Sequence, residues 1–196
     1  SACSPIHADQ EKQQKTDIMD SINQQQTEEN FKNLQGAEAA KKIKELAEKA
    51  NTCFFCTAIQ PGKAFETRPM SVQKMDDDGN FWFLSANDSH KNKEIALDRS
   101  VKLFFQGSAH SDFMYLTGKA EIISDRNKIE ELWEPIMKTW FTEGKDDTRI
   151  TVIKFVPEEG YYWDTKHGKA IAFLKMMVGA ASGKTMDDSI EGKLSM

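Results

Sequence analysis

Polar and basic side chains cluster around the start of one short predicted helix. The stretch SANDSHKNKE carries Ser85, Ser89, His90, Lys91 and Lys93. The first N–H groups of a helix and its dipole favour an anion, and Lys91 adds a full charge about one turn from the predicted cap at Ser89. This pattern is typical of a phosphate site, and it is equally typical of a capped helix with solvated lysines.

An arginine followed by proline interrupts a predicted strand. Arg68 lies within AFETRPMSVQKM, and Pro69 has no N–H to donate to a neighbouring strand. Pro69 therefore indicates a strand edge or a bulge, where backbone groups are left available to a ligand. The pattern alone favours the simpler interpretation, in which Arg68 is a surface residue at a bend.

A tryptophan near the end of a late predicted strand, Trp163 in YYWD, could cover a flat ring. The alternative is a core or interface residue, the more common role of tryptophan.

Two other motifs resemble chemical sites, but we interpret both as structural features. Cys53 and Cys56 in CFFC lie three positions apart on a predicted strand, so they face opposite sides at about 10 Å, too far for a disulfide. Both are predicted to be buried thiols, and no metal site is expected.

The segment GAASGKT, residues 179–185, resembles a phosphate-binding P-loop. It has three residues between its first glycine and its Gly-Lys pair, where a P-loop needs four, so it is predicted to be a tail loop.

The elements that must position these residues are mostly strands. A helical period covers 37–50, and strands are predicted at 52–59, 64–75 and 81–85, the last buried on both faces. Two further strands follow the short helix, then a helix from Asp125 to about Phe141 with a kink at Pro135, and two closing strands, RITVIKFVP and GYYWDT. Adjacent strands joined by tight turns predict a mainly β fold with flanking helices, arranged as an antiparallel barrel.

Composition limits the classes of function. The 196 residues suit a flexible polar leader, 1–36, and one domain with a C-terminal tail, 37–196. A net charge of −5 argues against nucleic acid as a partner, and no apolar run approaches the length of about twenty residues that spans a membrane. The expected location is the cytoplasm, with lipid anchoring through Cys3 as an alternative.

Taken in order, several segments resemble the FMN-binding split-barrel superfamily, in particular the general stress protein 26 branch related to pyridoxamine 5'-phosphate oxidase. The matching segments are TRPMSV, FWFLS, SHKNKEIALDRSVKLFF, LTGKAEIISD, YYWD and SGKTMDD. The resemblance implies an antiparallel split barrel that binds FMN, with FAD or another flavin as a further option. It also implies a homodimer with the cofactor at its interface and a small-molecule electron donor or acceptor.

The resemblance also implies roles for individual residues around the phosphate. Arg68 and Lys91 would hold the FMN phosphate, with help from Ser89 and His90. Where the oxidase has consecutive arginine and lysine, this chain has His90 and Lys91, which gives a weaker and pH-sensitive positive end.

Five more residues are implied to lie around the flavin ring. Pro69 and Met70 would run beside it, and the backbone of Phe83 and Leu84 would face its edge. Trp163 would reach the flavin of the partner subunit.

The implied function is an FMN-dependent oxidoreductase or flavin reductase whose substrate and catalytic residues the sequence does not identify. The oxidase's C-terminal arginine motif is not recognisable, so oxidation of pyridoxamine phosphate is not expected. The alternatives are a non-catalytic flavin-binding or flavin-storage protein, and a split barrel that has lost its cofactor or prefers haem or a deazaflavin.

Overall fold

The structure is a computed structural model that describes residues 30–182 and 188–196. Within these ranges the chain forms nine strands and four α-helices. The strands are β1 Leu34–Gln35, β2 Thr52–Thr57, β3 Glu66–Ser71, β4 Lys74–Met75, β5 Phe81–Ala86, β6 Ser100–Gln106, β7 Phe113–Ile123, β8 Ile150–Thr165 and β9 Ser189–Ser195. The helices are α1 Gly36–Ala50, α2 His90–Leu97, α3 Arg126–Leu132 and α4 Lys169–Ser182, with two 3-10 helices at Pro135–Thr139 and Gly144–Asp146.

The described strands form one mixed sheet in the order β1-β9-β8-β7-β6-β2-β3. The short pair β1 and β9 is parallel, and the other ladders are antiparallel. β8 changes partners along its length, because its first half pairs with β5 and its second half with β9. This sheet ends at β1 and β3 and does not close, so the mainly β prediction is confirmed but the antiparallel barrel is not.

The main core lies between α1 and the sheet. The helical period predicted for residues 37–50 is confirmed: Ala39, Ile43 and Leu46 lie on one stripe of α1 and are fully buried. They pack against aromatic side chains of the sheet, among them Phe55 and Phe83, whose rings meet edge to face at 5.3 Å. Contacts of this kind fix the positions of β2 and β5 relative to each other.

β5 is buried on both faces, as the run FWFLS predicts. Alternation along the strand sends Phe81 and Phe83 into the main core, while Trp82 and Leu84 enter a second core under α3 and the first 3-10 helix. This strand therefore joins the two cores and carries the start of α2 at its end.

The long helix predicted from Asp125 to Phe141 is wrong beyond its first two turns. Asp125 caps α3 as expected, but the helix ends at Leu132. Glu134 is extended, with φ −119° and ψ 147°, because the ring of Pro135 disfavours a helical conformation in the preceding residue. A 3-10 helix then begins at Pro135.

The C-terminal elements also differ from the prediction. The two predicted closing strands are one strand, β8, in which Pro157 sits at a bulge opposite Gly118 and does not end the strand. Residues 179–182 of the predicted tail loop belong to α4, while 183–185 lie outside the described residues. The following strand, β9, was not predicted.

The predicted leader, 1–36, lies mostly outside the described residues, as does Cys3, although residues 34 and 35 of it form β1. Cys53 and Cys56 are buried free thiols, as predicted. In the part of the chain that the structure describes, no helix is long and apolar enough to cross a membrane.

Candidate functional site

Arg68 lies on the edge strand β3, and its guanidinium reaches toward α2. Its Nη1 donates to Thr57 Oγ1 at 2.5 Å, and its Nη2 lies 2.8 Å from Glu94 Oε2. The Thr57 hydroxyl also donates to Glu94. The edge position that Pro69 indicated is confirmed, since β3 is the last strand of the sheet order. Arg68 is therefore held in place, and 22% of its side chain remains exposed.

Lys91 is a half-buried cation near Arg68. Burial lowers the pKa of Lys91, and the nearby charge of Arg68 lowers it further. Among the described residues, its ammonium forms neither an ion pair nor a hydrogen bond. The nearby carboxylates of Glu94 and Asp88 favour the charged form of Lys91, but they do not outweigh burial and Arg68. An anion placed beside Arg68 and Lys91 would further favour the charged form of Lys91.

The carboxylate between these cations is ionised at neutral pH. Burial raises the pKa of Glu94, but hydrogen bonds from Thr57 and Arg68 outweigh it, and the net pKa is below the usual value. Sequence reasoning missed both Thr57 and Glu94. Glu94 had a local signal, because it follows Lys91 by three positions and so lies on the same side of α2.

A buried polar network fixes the start of α2. Ser89 caps the helix, because its Oγ accepts from the Asn92 N–H at 3.3 Å. Ser85 Oγ donates to Asn92 Oδ1 at 2.7 Å, and Asn92 Nδ2 donates to Thr151 Oγ1 at 2.8 Å. This network ties α2 to β5 and β8. The cap at Ser89 confirms the prediction, while His90, next to it, is exposed to solvent.

A cleft of about 450 Å³ opens on the sheet face opposite the main core. None of the described residues that line it carries a charged side chain. Neighbouring strands place aromatic and apolar residues opposite one another: Phe54 pairs with Pro69 and with Phe104, and Phe104 pairs with Tyr115. The indole of Trp163 also lines the cleft, 6.2 Å from the Tyr115 ring. A flat apolar group fits such a lining.

Arg68 and Lys91, called here the cation pair, and the cleft meet at β3. Successive side chains of a strand point to opposite faces, so Arg68 turns toward α2 while Pro69 lines the cleft. Since β3 is an edge strand, a ligand with a charged end and a flat end could pass around it without crossing a ladder. This arrangement suits a planar ring joined to a phosphate.

The structure distributes the nine predicted site residues over three places. Arg68, Ser89 and Lys91 lie around the start of α2, with His90 beside them. Pro69 and Trp163 line the cleft, and Met70 is half-buried against the main core.

The side chains of Phe83 and Leu84 are buried in the two cores, away from the cleft lining. Their main chain pairs with Ile153 and Val152 of β8. The roles of all nine residues toward a cofactor stay predictions.

Two polar groups outside this site, Asp76 and His167, also have structural partners. Asp76 closes the turn before β5, since it accepts hydrogen bonds from Asn80 and from the indole of Trp82. His167 contacts Asp188. No group of three or more potential ligand residues within 30–182 and 188–196 could hold a metal ion.

The fold is shared with several solved structures. A general stress protein 26 from Jannaschia sp. CCS1 matches 82% of this chain and 100% of its own, with 22% identity and a TM-score of 0.68. The general stress FMN/FAD binding protein of Xanthomonas citri matches 64% of this chain and 87% of its own, with 20% identity and a TM-score of 0.54. At these levels of sequence identity, the similarity shows a shared fold and nothing more.

Two comparisons concern the sequence itself. Protein bli-3 of Neurospora crassa is 25% identical over 88 residues, which cover 41% of this chain and 42% of bli-3. The chain thus spans less than half of that relative. The family model described as pyridoxamine 5'-phosphate oxidase like matches residues 38–187, most of the chain. On that match, which includes both the cation pair and the aromatic cleft, the chain belongs to the pyridoxamine 5'-phosphate oxidase-like family.

Proposed function

We propose that this protein binds FMN through the cation pair and the aromatic cleft, and that it works as a flavin-dependent oxidoreductase of the general stress protein 26 type. The observation that carries the proposal is the cation pair itself: the half-buried Lys91 lies near Arg68 and, among the described residues, forms no ion pair or hydrogen bond of its own. A half-buried cation without an ion-pair partner is costly unless an anion joins it. The name of the Xanthomonas citri fold neighbour, an FMN/FAD binding protein, supports a flavin.

The proposal gives each predicted residue a task. Arg68 and Lys91 bind the phosphate, and the N-terminus of α2, capped by Ser89 and flanked by His90, adds its dipole. Pro69 lies beside the ring, Met70 follows it with its main chain because its side chain packs against the main core, and the main chain of Phe83 and Leu84 faces the ring's edge. The flavin, when bound, supplies hydride or electron transfer. The aromatic residues of the cleft exclude water from the ring.

The proposed active form is a homodimer with the cofactor at the interface, in which Trp163 reaches the flavin of the partner subunit. The exposed aromatic residues Phe54 and Phe104, at 57% and 40%, support an interface on this face. An antiparallel split barrel and a cytoplasmic location belong to the same proposal. The electron donor or acceptor is a small molecule.

Replacement of the two cations tests the phosphate site. Arg68→Ala and Lys91→Ala are each expected to weaken FMN binding about tenfold to hundredfold, because a charge-assisted hydrogen bond contributes about 1.5–3 kcal/mol. Lys93→Ala, on the exposed side of the same helix, is the matched control and should bind FMN like the parent protein. Fluorescence titration gives the affinities.

Riboflavin makes this test specific, because it has the ring without the phosphate. The two cation variants should bind riboflavin as the parent protein does. Equal FMN affinity in all four proteins would refute the site. Weakened binding of both flavins would show a damaged fold, which circular dichroism would confirm. Anaerobic addition of NAD(P)H then separates an oxidoreductase, whose flavin is bleached, from a storage protein, whose flavin stays oxidised.

A further inference from the structure

Two buried carboxylates lie next to the aromatic end of the cleft. Phe113 at the start of β7 pairs with Trp163 near the end of β8, and both residues line the cleft. Asp112 directly precedes Phe113, and Asp164 directly follows Trp163. The two aspartate side chains are only 2% and 4% exposed. Neither of them lines the cleft, and both contact α1 instead.

Three charged residues on one side of α1 hold these aspartates. Lys42 Nζ lies 2.9 Å from Asp164 Oδ2, and Lys49 Nζ lies 2.8 Å from Asp112 Oδ1. Glu45 follows Lys42 by three positions and precedes Lys49 by four, so it can reach both lysines. It accepts from them at 3.1 Å and 2.9 Å. These five residues are called here the α1 network.

The aspartates also fix the backbone on either side of the aromatic pair. Asp112 has a positive φ of 61°, and its carbonyl accepts from the Gly107 N–H at 2.9 Å, which closes the turn into β7. Asp164 Oδ1 accepts from the Thr165 N–H at 2.8 Å. A buried carboxylate is costly without an ion-pair partner, so these positions depend on the lysines of α1.

We propose that the α1 network positions the aromatic end of the cleft, so that charged residues on one face of the sheet set the affinity for a flat ring on the other face. The proposal rests on the proposed function for the identity of the ring. No member of the α1 network lines the cleft. Its members are therefore positioning residues, which act through Phe113 and Trp163.

Two double variants each remove half of the α1 network without leaving a buried charge unpaired. Lys42→Met with Asp164→Asn keeps the side-chain oxygen that accepts from Thr165. Lys49→Met with Asp112→Asn keeps the turn into β7, because asparagine tolerates a positive φ. Methionine in place of lysine retains an unbranched apolar side chain.

The matched control removes a lysine and a carboxylate of another ion pair. Lys74→Met with Glu131→Gln breaks an exposed pair whose charged atoms lie 2.5 Å apart. Neither of these residues lines the cleft.

Fluorine NMR of protein labelled with fluorotryptophan detects the position of Trp163 without any flavin. The chain has four tryptophans, and the Trp163 resonance is assigned by its loss in Trp163→Phe. This resonance should shift or broaden in both double variants and stay unchanged in the control. Lys42→Arg and Lys49→Arg each retain the cation, so they should leave the resonance as it is in the parent protein. An unchanged Trp163 resonance in both double variants overturns the proposal, whatever the flavin affinities.

Flavin titration measures the consequence for the cleft. Both double variants should bind FMN and riboflavin about twofold to tenfold more weakly, because a loosened aromatic side chain must be ordered when the ring binds. The factor should be the same for the two flavins, whereas replacement of Arg68 or Lys91 weakens the binding of FMN alone. A shifted Trp163 resonance with unchanged riboflavin affinity also overturns the proposal. If the parent protein binds neither flavin, the proposed function fails, while a shifted resonance still supports the positioning of Trp163 by α1.

Discussion

The cation pair illustrates how single residues can oppose one another within a site. Arg68 is engaged by Glu94 at 2.8 Å, so a phosphate that approaches the guanidinium competes with that carboxylate. Lys91 has no such competitor within ion-pair distance in the described chain. The arrangement suggests that Glu94 lowers flavin affinity while it keeps Arg68 extended toward α2.

Neutralisation of Glu94 tests this competition. Glu94→Gln is expected to strengthen FMN binding about threefold to fivefold, because a partly exposed ion pair contributes up to about 1 kcal/mol. Riboflavin affinity should not change. Glu121→Gln, which removes an exposed partner of Arg99, is the control. Weaker FMN binding by Glu94→Gln would mean that the carboxylate positions Arg68 for the phosphate and does not compete with it.

The residues of the site were only partly predictable from the sequence. Ser89 and Lys91 lie at a helix start whose signals are local, and Arg68 is followed by the proline of an edge strand. Thr57 carries no such signal, because its contact with Arg68 depends on the pairing of β2 with β3. Long-range contacts of this kind follow from strand register, which a single sequence does not reveal.

At the scale of elements, strong periodicity and capping were predictive, whereas mixed patterns were not. α1, β5 and the cap of α2 follow the sequence closely. α4 is apolar on most of its surface, so it lacks the amphipathic period of a surface helix. β9 contains Gly192, whose position leaves no room for a Cβ, because that atom would lie 2.0 Å from the Lys32 carbonyl oxygen. In a sequence, a glycine within a strand pattern indicates a weakened strand. The close contact with Lys32 that requires glycine here becomes visible only in the structure.

The attachment of α4 depends on the charge of Asp188. Burial raises the pKa of this carboxyl, but hydrogen bonds from Lys175 and His167 outweigh it, and the net pKa is lowered. A carboxyl whose folded-state pKa is lowered stabilises the structure above its unfolded value of about 3.9, and this contribution is lost as pH falls through the folded value.

Asp188→Asn is therefore expected to loosen α4 at pH 7. Amide hydrogen exchange in residues 169–182 should become faster by about tenfold or more, because the loss of a hydrogen-bonded charge costs about 1–3 kcal/mol. The difference from the parent protein should shrink below about pH 4, as the parent carboxyl takes up its proton. Asp146→Asn, at an exposed ion pair, should leave α4 unchanged. Equal exchange rates in Asp188→Asn and the parent protein at pH 7 would show that α4 does not depend on this contact.

At the scale of the whole molecule, the central feature is a sheet with one buried face and one face that opens to solvent. One face carries the main core beneath α1, and the other carries the cleft. Phe54 and Phe55 are adjacent on β2 yet point to opposite faces: Phe55 is fully buried, while Phe54 is 57% exposed and lines the cleft. A protomer therefore needs Phe55 for its own stability, whereas Phe54 contributes to what the cleft binds.

Alanine substitution of these neighbours separates the two faces. Phe55→Ala should lower the free energy of unfolding by about 3–5 kcal/mol and reduce the melting temperature at every protein concentration, because it leaves a cavity in the core. Phe54→Ala should change protomer stability by less than about 0.5 kcal/mol in dilute solution. In the dimer that we propose, Phe54→Ala should also reduce the rise of melting temperature with protein concentration, since association stabilises the folded state by mass action. Calorimetry over a hundredfold range of concentration measures both effects. A concentration-independent loss for Phe54→Ala as large as that for Phe55→Ala would place Phe54 in the protomer's own core and contradict the two-faced sheet.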